Sequence, residues 1–324
     1  MRTISTLIAV FVVAALGAAS LTAHAETYPS RSVRLITGGA GTFHDIVTRQ
    51  LAQQLSQRWG QPVVVDNQPA AALTVGTAAA ARAAPDGYTL VMSDRSALAV
   101  APSLLKVMPY DVAKDFVPVT LAAQATSLLV THPSVPATTL AELLALLRRE
   151  TAEVHFASAG PGTNNHIAME LLKAATGLNL APIHYKGGGA STTALLGGEV
   201  KFGFALLPTV LPHVKAGKLK AFVVTGKQRF PGASEIATAA ESGLPGFELE
   251  FWIGVLAPKN TPAEIVAKLN RDIGEVLRQP EMQALLQAQG AVPAPGSPEA
   301  FAAHIASEAT RMRELVQRTG MRAD

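Results

Sequence analysis

Ser158, His166 and His184 are the first residues to test for chemistry, because a serine near a histidine is the minimum for nucleophilic catalysis. Phe156-Ala157-Ser158-Ala159-Gly160 comes close to a nucleophile elbow, yet Phe156 stands where that turn needs its first glycine. Two readings stay open: Ser158 as a nucleophile with His166 or His184 as its base, or Ser158 as a small loop residue. His44 beside Asp45 is similarly open, as half of an acid–base dyad or as a helix cap and a pocket wall. The histidines show neither HExxH nor His-x-His spacing, and in a chain without cysteine no thiol could complete a metal site. No loop reads GxxxxGK followed by Ser or Thr. Gly160-Pro161-Gly162-Thr163-Asn164-Asn165 lacks the third glycine of a dinucleotide fingerprint. Neither cofactor nor metal is implied, and the chain is expected to catalyse nothing.

The elements that must position these residues follow from the apolar spacing. Short apolar runs at Val33–Ile36, Val63–Val65, Leu90–Met92, Leu128–Val130 and Phe222–Val224 predict buried strands. Between them, Ile46, Val47, Leu51 and Leu55 share one helical face, and Gly60 follows as a stop. Thr139 and Glu142 form a capping box ahead of a helix over Leu140–Arg149. Thr261-Pro262-Ala263-Glu264 opens a helix running through Leu277, and Ser297-Pro298 opens another towards Val316. Alternation of this kind predicts an α/β protein, with mostly parallel sheets covered by helices on both faces.

Where strands turn into helices the sequence is rich in glycine. Val33–Ile36 runs into Thr37-Gly38-Gly39-Ala40-Gly41-Thr42, with a helix starting near Phe43. His155–Ala157 runs into Ser158-Ala159-Gly160-Pro161-Gly162-Thr163, with a helix starting near Asn164. Ile183–Tyr185 runs into Lys186-Gly187-Gly188-Gly189, with a helix starting near Ala190. Glycine lets backbone N–H groups face inward unobstructed. A helix start leaves unpaired donors and partial positive charge, so each turn is a potential anion cradle. Ligands of α/β sheets lie at these strand ends.

Composition narrows the function further. The net charge of +3 is small and its basic residues are scattered, which argues against a nucleic-acid stripe or a basic membrane face. An aromatic content of 5% offers little base-stacking surface. The amino terminus reads as a cleavable export signal: Met1-Arg2, an apolar run from Ile4 to Leu21, then Ala23-His24-Ala25, with cleavage expected after Ala25. The rest, about 300 residues, suits two domains, in an exported protein free in the periplasm.

Many ordered segments make the chain similar to the substrate-binding receptors of tripartite tricarboxylate transporters, the Bug family. They include Tyr28-Pro29-Ser30-Arg31-Ser32-Val33-Arg34-Leu35-Ile36, Gly60-Gln61-Pro62-Val63-Val64-Val65-Asp66-Asn67 and Ala84-Pro85-Asp86-Gly87-Tyr88-Thr89-Leu90. Pro109-Tyr110-Asp111, Ala157-Ser158-Ala159-Gly160, Tyr185-Lys186-Gly187, Leu196-Gly197-Gly198 and Ala257-Pro258 continue the match. The resemblance implies a type II periplasmic-binding-protein-like fold, with two α/β lobes and a ligand cleft between them. Lobe 1 would combine residues 26–124 with 247–324, and lobe 2 would hold 125–246. It further implies a receptor that captures a small carboxylate for transient delivery to membrane permease subunits, or that reports ligand to a signalling system. A monomer suits such docking.

Carried over motif by motif, the resemblance implies a ligand site from Gly39, Ala40, Gly41, Thr42, Phe43, His44 and Asp45 in the first loop. The second loop would add Ser158, Gly160, Gly162, Thr163, Asn164, Asn165 and His166, with Ser93, Arg95, Tyr185 and Leu206 bordering the cleft. Arg95 is open between pairing with a second carboxylate and a surface salt bridge to Asp94. The first loop is a residue shorter than the family commonly has, and it carries Phe43 and His44. Ala205-Leu206-Leu207-Pro208 stands where relatives often place Asp or Asn. Those departures predict a more apolar distal pocket, suited to a monocarboxylate or aromatic carboxylate rather than a polycarboxylate.

Overall fold

The computed structural model describes residues 28–68, 73–150 and 152–321, so the expected leader and its cleavage point lie outside the described residues. β1 (Val33–Thr37) turns through the first glycine loop into α1 (Phe43–Trp59), and β2 (Val63–Asn67) precedes α2 (Thr74–Ala81). β3 (Thr89–Asp94) runs into a π-helical turn, Ser96–Val100, continued by α3 (Ala101–Leu104). After α4 (Val112–Asp115) comes β4 (Phe116–Thr131), a strand of 16 residues. α5 (Leu140–Arg149), β5 (Val154–Ser158), α6 (Asn164–Thr176), β6 (Leu180–His184), α7 (Gly188–Leu196) and β7 (Phe202–Leu206) follow. Then come α8 (Leu207–Lys215), β8 (Lys220–Val224), β9 (Glu250–Pro258), α9 (Ala263–Leu277), α10 (Pro280–Ala288), β10 (Ala291–Pro293) and α11 (Pro298–Thr319).

The main sheet has the order β10-β4-β9-β3-β1-β2. β4 changes partners along its length. Phe116 through Thr126 pair with β9, whereas Ser127 through Thr131 are flanked by β7 and β8. β5 and β6 form a separate parallel pair. The expectation of mostly parallel sheets is corrected, because among the described residues five of the eight strand pairings are antiparallel. The reason is β4 and β9. Every antiparallel pair includes one of them, and the two run in opposite directions along most of their length.

The helix starts follow their caps. Thr139 accepts from the Glu142 N–H, while Thr138 donates to the Glu142 carboxylate at 2.8 Å, a capping box displaced by one residue. α1 ends at Gly60 in the left-handed region, and Trp59 Nε1 donates to the buried Asp272 of α9 at 2.7 Å. That bond fixes the far end of the helix whose start carries the first glycine loop. One apolar cluster joins Ile36 and Val91 to Phe156, Ile167 and Leu172, with Met312 and Leu315 of α11 closing it. Gly254 is obligatory in this packing: a Cβ there would sit 2.2 Å from the Phe301 ring of α11. Among the described residues no helix is long and apolar enough to cross a membrane.

Candidate functional site

The first loop is built around Asp45. Thr42 is the N-cap of α1 and its hydroxyl accepts from the Asp45 N–H at 3.4 Å. The Asp45 carboxylate reaches back to accept the Gly41 N–H at 2.8 Å and Asn67 Nδ2 at 2.7 Å, and it pairs with Arg49 at 2.9 Å. Burial alone would raise the Asp45 pKa. The bonds from Asn67, Arg49 and Gly41 outweigh it and hold the carboxyl below its ordinary range. Asp45 is therefore the frame of the loop, and its oxygens are spent inside it. Gly41 adopts φ +75°, which a side chain would resist.

His44 does not pair with Asp45, so the two form no dyad. Its Nε2 lies 3.2 Å from Asp94 Oδ2 at the end of β3, and its ring meets Phe251 edge-on at 5.4 Å. Phe43 packs on the same Phe251 ring at 5.9 Å. Leu206 is half-buried against an apolar cluster that includes Phe43 and Phe251, whereas its neighbours Ala205 and Leu207 turn into another core. The apolar stretch expected at residues 205–208 therefore packs Leu206 into the cluster that holds Phe43 and Phe251.

The second loop is knitted by its own side chains. Asn165 Oδ1 accepts from Ala159 N–H at 3.1 Å and from Thr163 Oγ1 at 2.7 Å. His166 Nδ1 accepts the Gly162 N–H at 3.1 Å, which leaves Nε2 as the protonated nitrogen facing Glu170. Burial, reinforced by His184 and Lys173, pushes the His166 pKa down to about 4. Ser158 Oγ accepts from Gly160 N–H at 3.2 Å and lies 2.9 Å from His184 Nδ1, while Ser158 itself is wholly buried. Gly160 and Gly162 both have positive φ. Gly162 also packs tightly: a Cβ there would lie 2.6 Å from Leu104 and 3.3 Å from Val100.

Both loops keep donors in reserve. The N–H groups of Phe43 and His44 at the start of α1, and of Asn164 and Asn165 at the start of α6, have no acceptor among the described residues. The third turn leaves the Gly188 and Gly189 N–H groups similarly unpaired on an exposed surface, where Tyr185 donates its hydroxyl to Glu199 at 2.9 Å.

Arg95 holds the start of the second loop's helix to the start of β9. Arg95 is 1% exposed, which corrects the reading of a surface salt bridge with Asp94. Nη1 donates to the Glu250 carbonyl at 3.2 Å, and Nη2 donates to Asn164 Oδ1 at the start of α6. Asn164 Nδ2 donates in turn to Ser127 Oγ at 2.7 Å. Burial lowers the Arg95 pKa to about 10, still far above neutrality, with Glu308 and Asp94 opposing the shift. Ser93 sits elsewhere. Strand alternation turns it away from Asp94, and its hydroxyl lies 3.0 Å from Thr77 Oγ1 in the interior.

Asn67, Ser127, Glu250 and Phe251 escaped sequence reasoning, and Asp94 entered it only as a partner for Arg95. Asn67 serves Asp45 from 22 residues away and carries no local signal. A cavity of about 790 Å³ lies elsewhere, lined by Thr139, Lys220, Phe222 and Ile236, and includes none of the loop residues. The loops carry the unpaired donors, so the site is placed by that chemistry and not by cavity volume. Among the described residues no group of three or more His, Asp or Glu side chains could hold a metal ion.

Residues 47–321 match the family described as "Tripartite tricarboxylate transporter family receptor". Protein BugT of Bordetella pertussis is 38% identical over 298 residues, covering 91% of each chain. Among solved structures, R. palustris Rpa4515 with adipate superposes with a TM-score of 0.84 at 31% identity, covering 91% of this chain and 99% of the other. MatC from Rhodopseudomonas palustris with bound malate gives a TM-score of 0.79 at 30% identity, covering 89% and 100%. Matched over most of its length by sequence and by structure, the chain belongs to the tripartite tricarboxylate transporter receptor family.

Proposed function

We propose that this protein is a periplasmic receptor that binds a small carboxylate and delivers it, unaltered, to the permease subunits of a tripartite transporter. One observation carries the reading. Two glycine-loop helix starts hold N–H donors with no acceptor among the described residues, and the buried Arg95 bonds Asn164 at the second. Solved relatives carry adipate and malate. The ligand site proposed here comprises Gly39, Ala40, Gly41, Thr42, Phe43 and His44 with Gly160, Gly162, Thr163, Asn164 and Asn165. Asp45, Arg95 and His166 support it from behind. Phe43, Phe251 and Leu206 line its apolar end, which favours a monocarboxylate or aromatic carboxylate over a polycarboxylate. The lobes proposed are residues 26–124 with 247–324, and 125–246. The change of partners in β4 between Thr126 and Ser127 supports that division, as does the bond from Leu249 N–H to the Thr225 carbonyl just before β9 begins. Ligand held from both lobes shifts an open–closed equilibrium, because only the closed form contacts it on two sides. The test is calorimetric titration with benzoate, hexanoate, adipate and citrate. Tight binding of citrate with none of benzoate or hexanoate would overturn the ligand class.

A second reading has one observation in its favour, the 2.9 Å approach of Ser158 Oγ to His184 Nδ1. A hydrolase built on that pair would lose turnover of an ester substrate in Ser158→Ala. Against it stand the complete burial of Ser158 and a neighbouring His166 whose low pKa makes it a poor base at neutral pH.

A further inference from the structure

The two helix starts that keep donors in reserve differ in the charge behind them. At α1 the first turn holds Asp45, whose lowered pKa keeps it ionised and whose cationic partner Arg49 is half exposed. A second acid, Asp94, faces His44 Nε2 there at 3.2 Å. At α6 the first turn carries no acid, and Glu170 further along the helix is paired with Lys173 at 3.0 Å. The charge behind this start is Arg95, which reaches Asn164 Oδ1 through Nη2. No described carboxylate forms an ion pair with Arg95: Asp94 turns to His44, and Glu308 of α11 turns to Arg311. Its bonds go to neutral acceptors, Asn164 Oδ1 and the Glu250 carbonyl, and its Nε has no partner among the described residues. Arg95 stays protonated at neutral pH and is 1% exposed, so water screens its charge little. A buried cation without a contacting anion is costly, and an anion brought close to it offsets that cost.

We infer that the two helix starts divide the ligand between them. The carboxylate sits at the start of α6, on the Asn164 and Asn165 N–H groups and in the field of Arg95. The apolar part lies against Phe43 and Phe251 at the start of α1. The inference rests on the receptor reading and adds an orientation and a specificity-determining charge to it. Arg95 acts through Asn164 and through its charge, so it selects an anion over a neutral ligand of the same shape. Asp45 and Asp94 disfavour a second carboxylate at the α1 end, an electrostatic reason for preferring a monocarboxylate. In the lobe division proposed above, Arg95 belongs to residues 26–124 and Asn164 to residues 125–246. Their bond therefore forms as the lobes approach, and closure and anion capture favour each other.

The test has two arms. Crystals of the wild type with para-bromobenzoate locate both ends of the ligand, since anomalous scattering marks the bromine. Bromine beside Phe43 and Phe251, with the carboxylate at Asn164 and Asn165, is expected; the reverse orientation would overturn the inference. Calorimetry then compares benzoate with benzamide and hexanoate with hexanamide in wild type, Arg95→Gln and Arg95→Lys. Glutamine removes the charge but keeps a donor for Asn164, whereas lysine keeps the charge. Arg95→Gln should weaken the acids about tenfold to a hundredfold and the amides by less than about threefold. Arg95→Lys should hold the acid-to-amide ratio within about threefold of wild type. Equal losses for acid and amide in Arg95→Gln would mean that Arg95 only shapes the loop, and would overturn the inference. Should neither variant fold, the wild-type ratio at about 0.05 and 0.5 M sodium chloride decides, because salt screens a buried charge little. A steady ratio supports Arg95, and one that collapses with salt overturns it. A wild type that binds none of these acids refutes the carboxylate reading itself. Reversed binding leaves that reading standing and refutes only the division of the ligand.

Discussion

Replacing Asp45 by alanine isolates the framework of the first loop. Three contacts are lost, with Gly41 N–H, Asn67 Nδ2 and Arg49. The Arg49 side chain is half exposed, so solvent screening limits its share to under about 1 kcal/mol. The bonds from Asn67 and Gly41 to a buried carboxylate contribute about 1–2 kcal/mol each, and a lost acid in the first helical turn costs about 0.5 kcal/mol. The expected destabilisation near pH 7 is therefore about 2.5–5.5 kcal/mol. Its pH dependence has a definite sign. The folded-state pKa of Asp45 lies below the unfolded value, so this contribution is fully present above the unfolded carboxylate range. It is lost as the pH falls through the lowered pKa. Urea unfolding of wild type and Asp45→Ala, followed by circular dichroism at pH 7 and again at the lowest pH where wild type still folds, measures both quantities. A gap within about 0.5 kcal/mol of zero at pH 7, or one that widens as the pH falls, would refute the reasoning.

Other perturbations test separate links. Gly162→Ala meets Leu104 at 2.6 Å and adopts φ +69°, so it should destabilise by about 1–3 kcal/mol and enlarge the radius of gyration in solution scattering. Gly254→Ala drives a Cβ to 2.2 Å from the Phe301 ring and should cost more than about 3 kcal/mol in urea unfolding, with Phe301→Leu partly rescuing it. Ser158→Ala should leave carboxylate binding within about threefold of wild type by calorimetry, since its hydroxyl serves only Gly160 and His184 among the described residues. Thr42→Ala should cost about 1 kcal/mol in thermal unfolding through loss of the α1 cap.

What the sequence shows and what it conceals divides along contact distance. The starts of α1 and α6 are legible because Thr42 and Thr163 follow glycines whose only plausible use is a turn, and the structure starts those helices at Phe43 and Asn164. The helix over Leu140–Arg149 is legible for the same reason, its cap lying within a few residues of it. β4 is not. Leu128–Val130 stands out as an apolar run, but Phe116 through Gln124 alternate too weakly to announce the same strand, and their partners lie more than 120 residues later. The parallel expectation failed there too, because nothing local distinguishes a strand that returns beside β9 from one that crosses over. In the two glycine loops, the turns were legible and their wiring was not. Asp45 reads as a pocket wall until Asn67 and Gly41 are seen to occupy its oxygens. Arg95 looks like a surface charge until Glu250, 155 residues on, and Asn164, 69 residues on, are seen to receive it.

The central claim is capture of a small carboxylate without chemistry. Calorimetric titration of the purified protein with benzoate, hexanoate, adipate and citrate, with mass spectrometry of the compound recovered afterwards, tests it most directly. Saturable one-to-one binding of a monocarboxylate or aromatic carboxylate, recovered unchanged, is the predicted result. Binding of none of the four, or a recovered compound that has been altered, would contradict it.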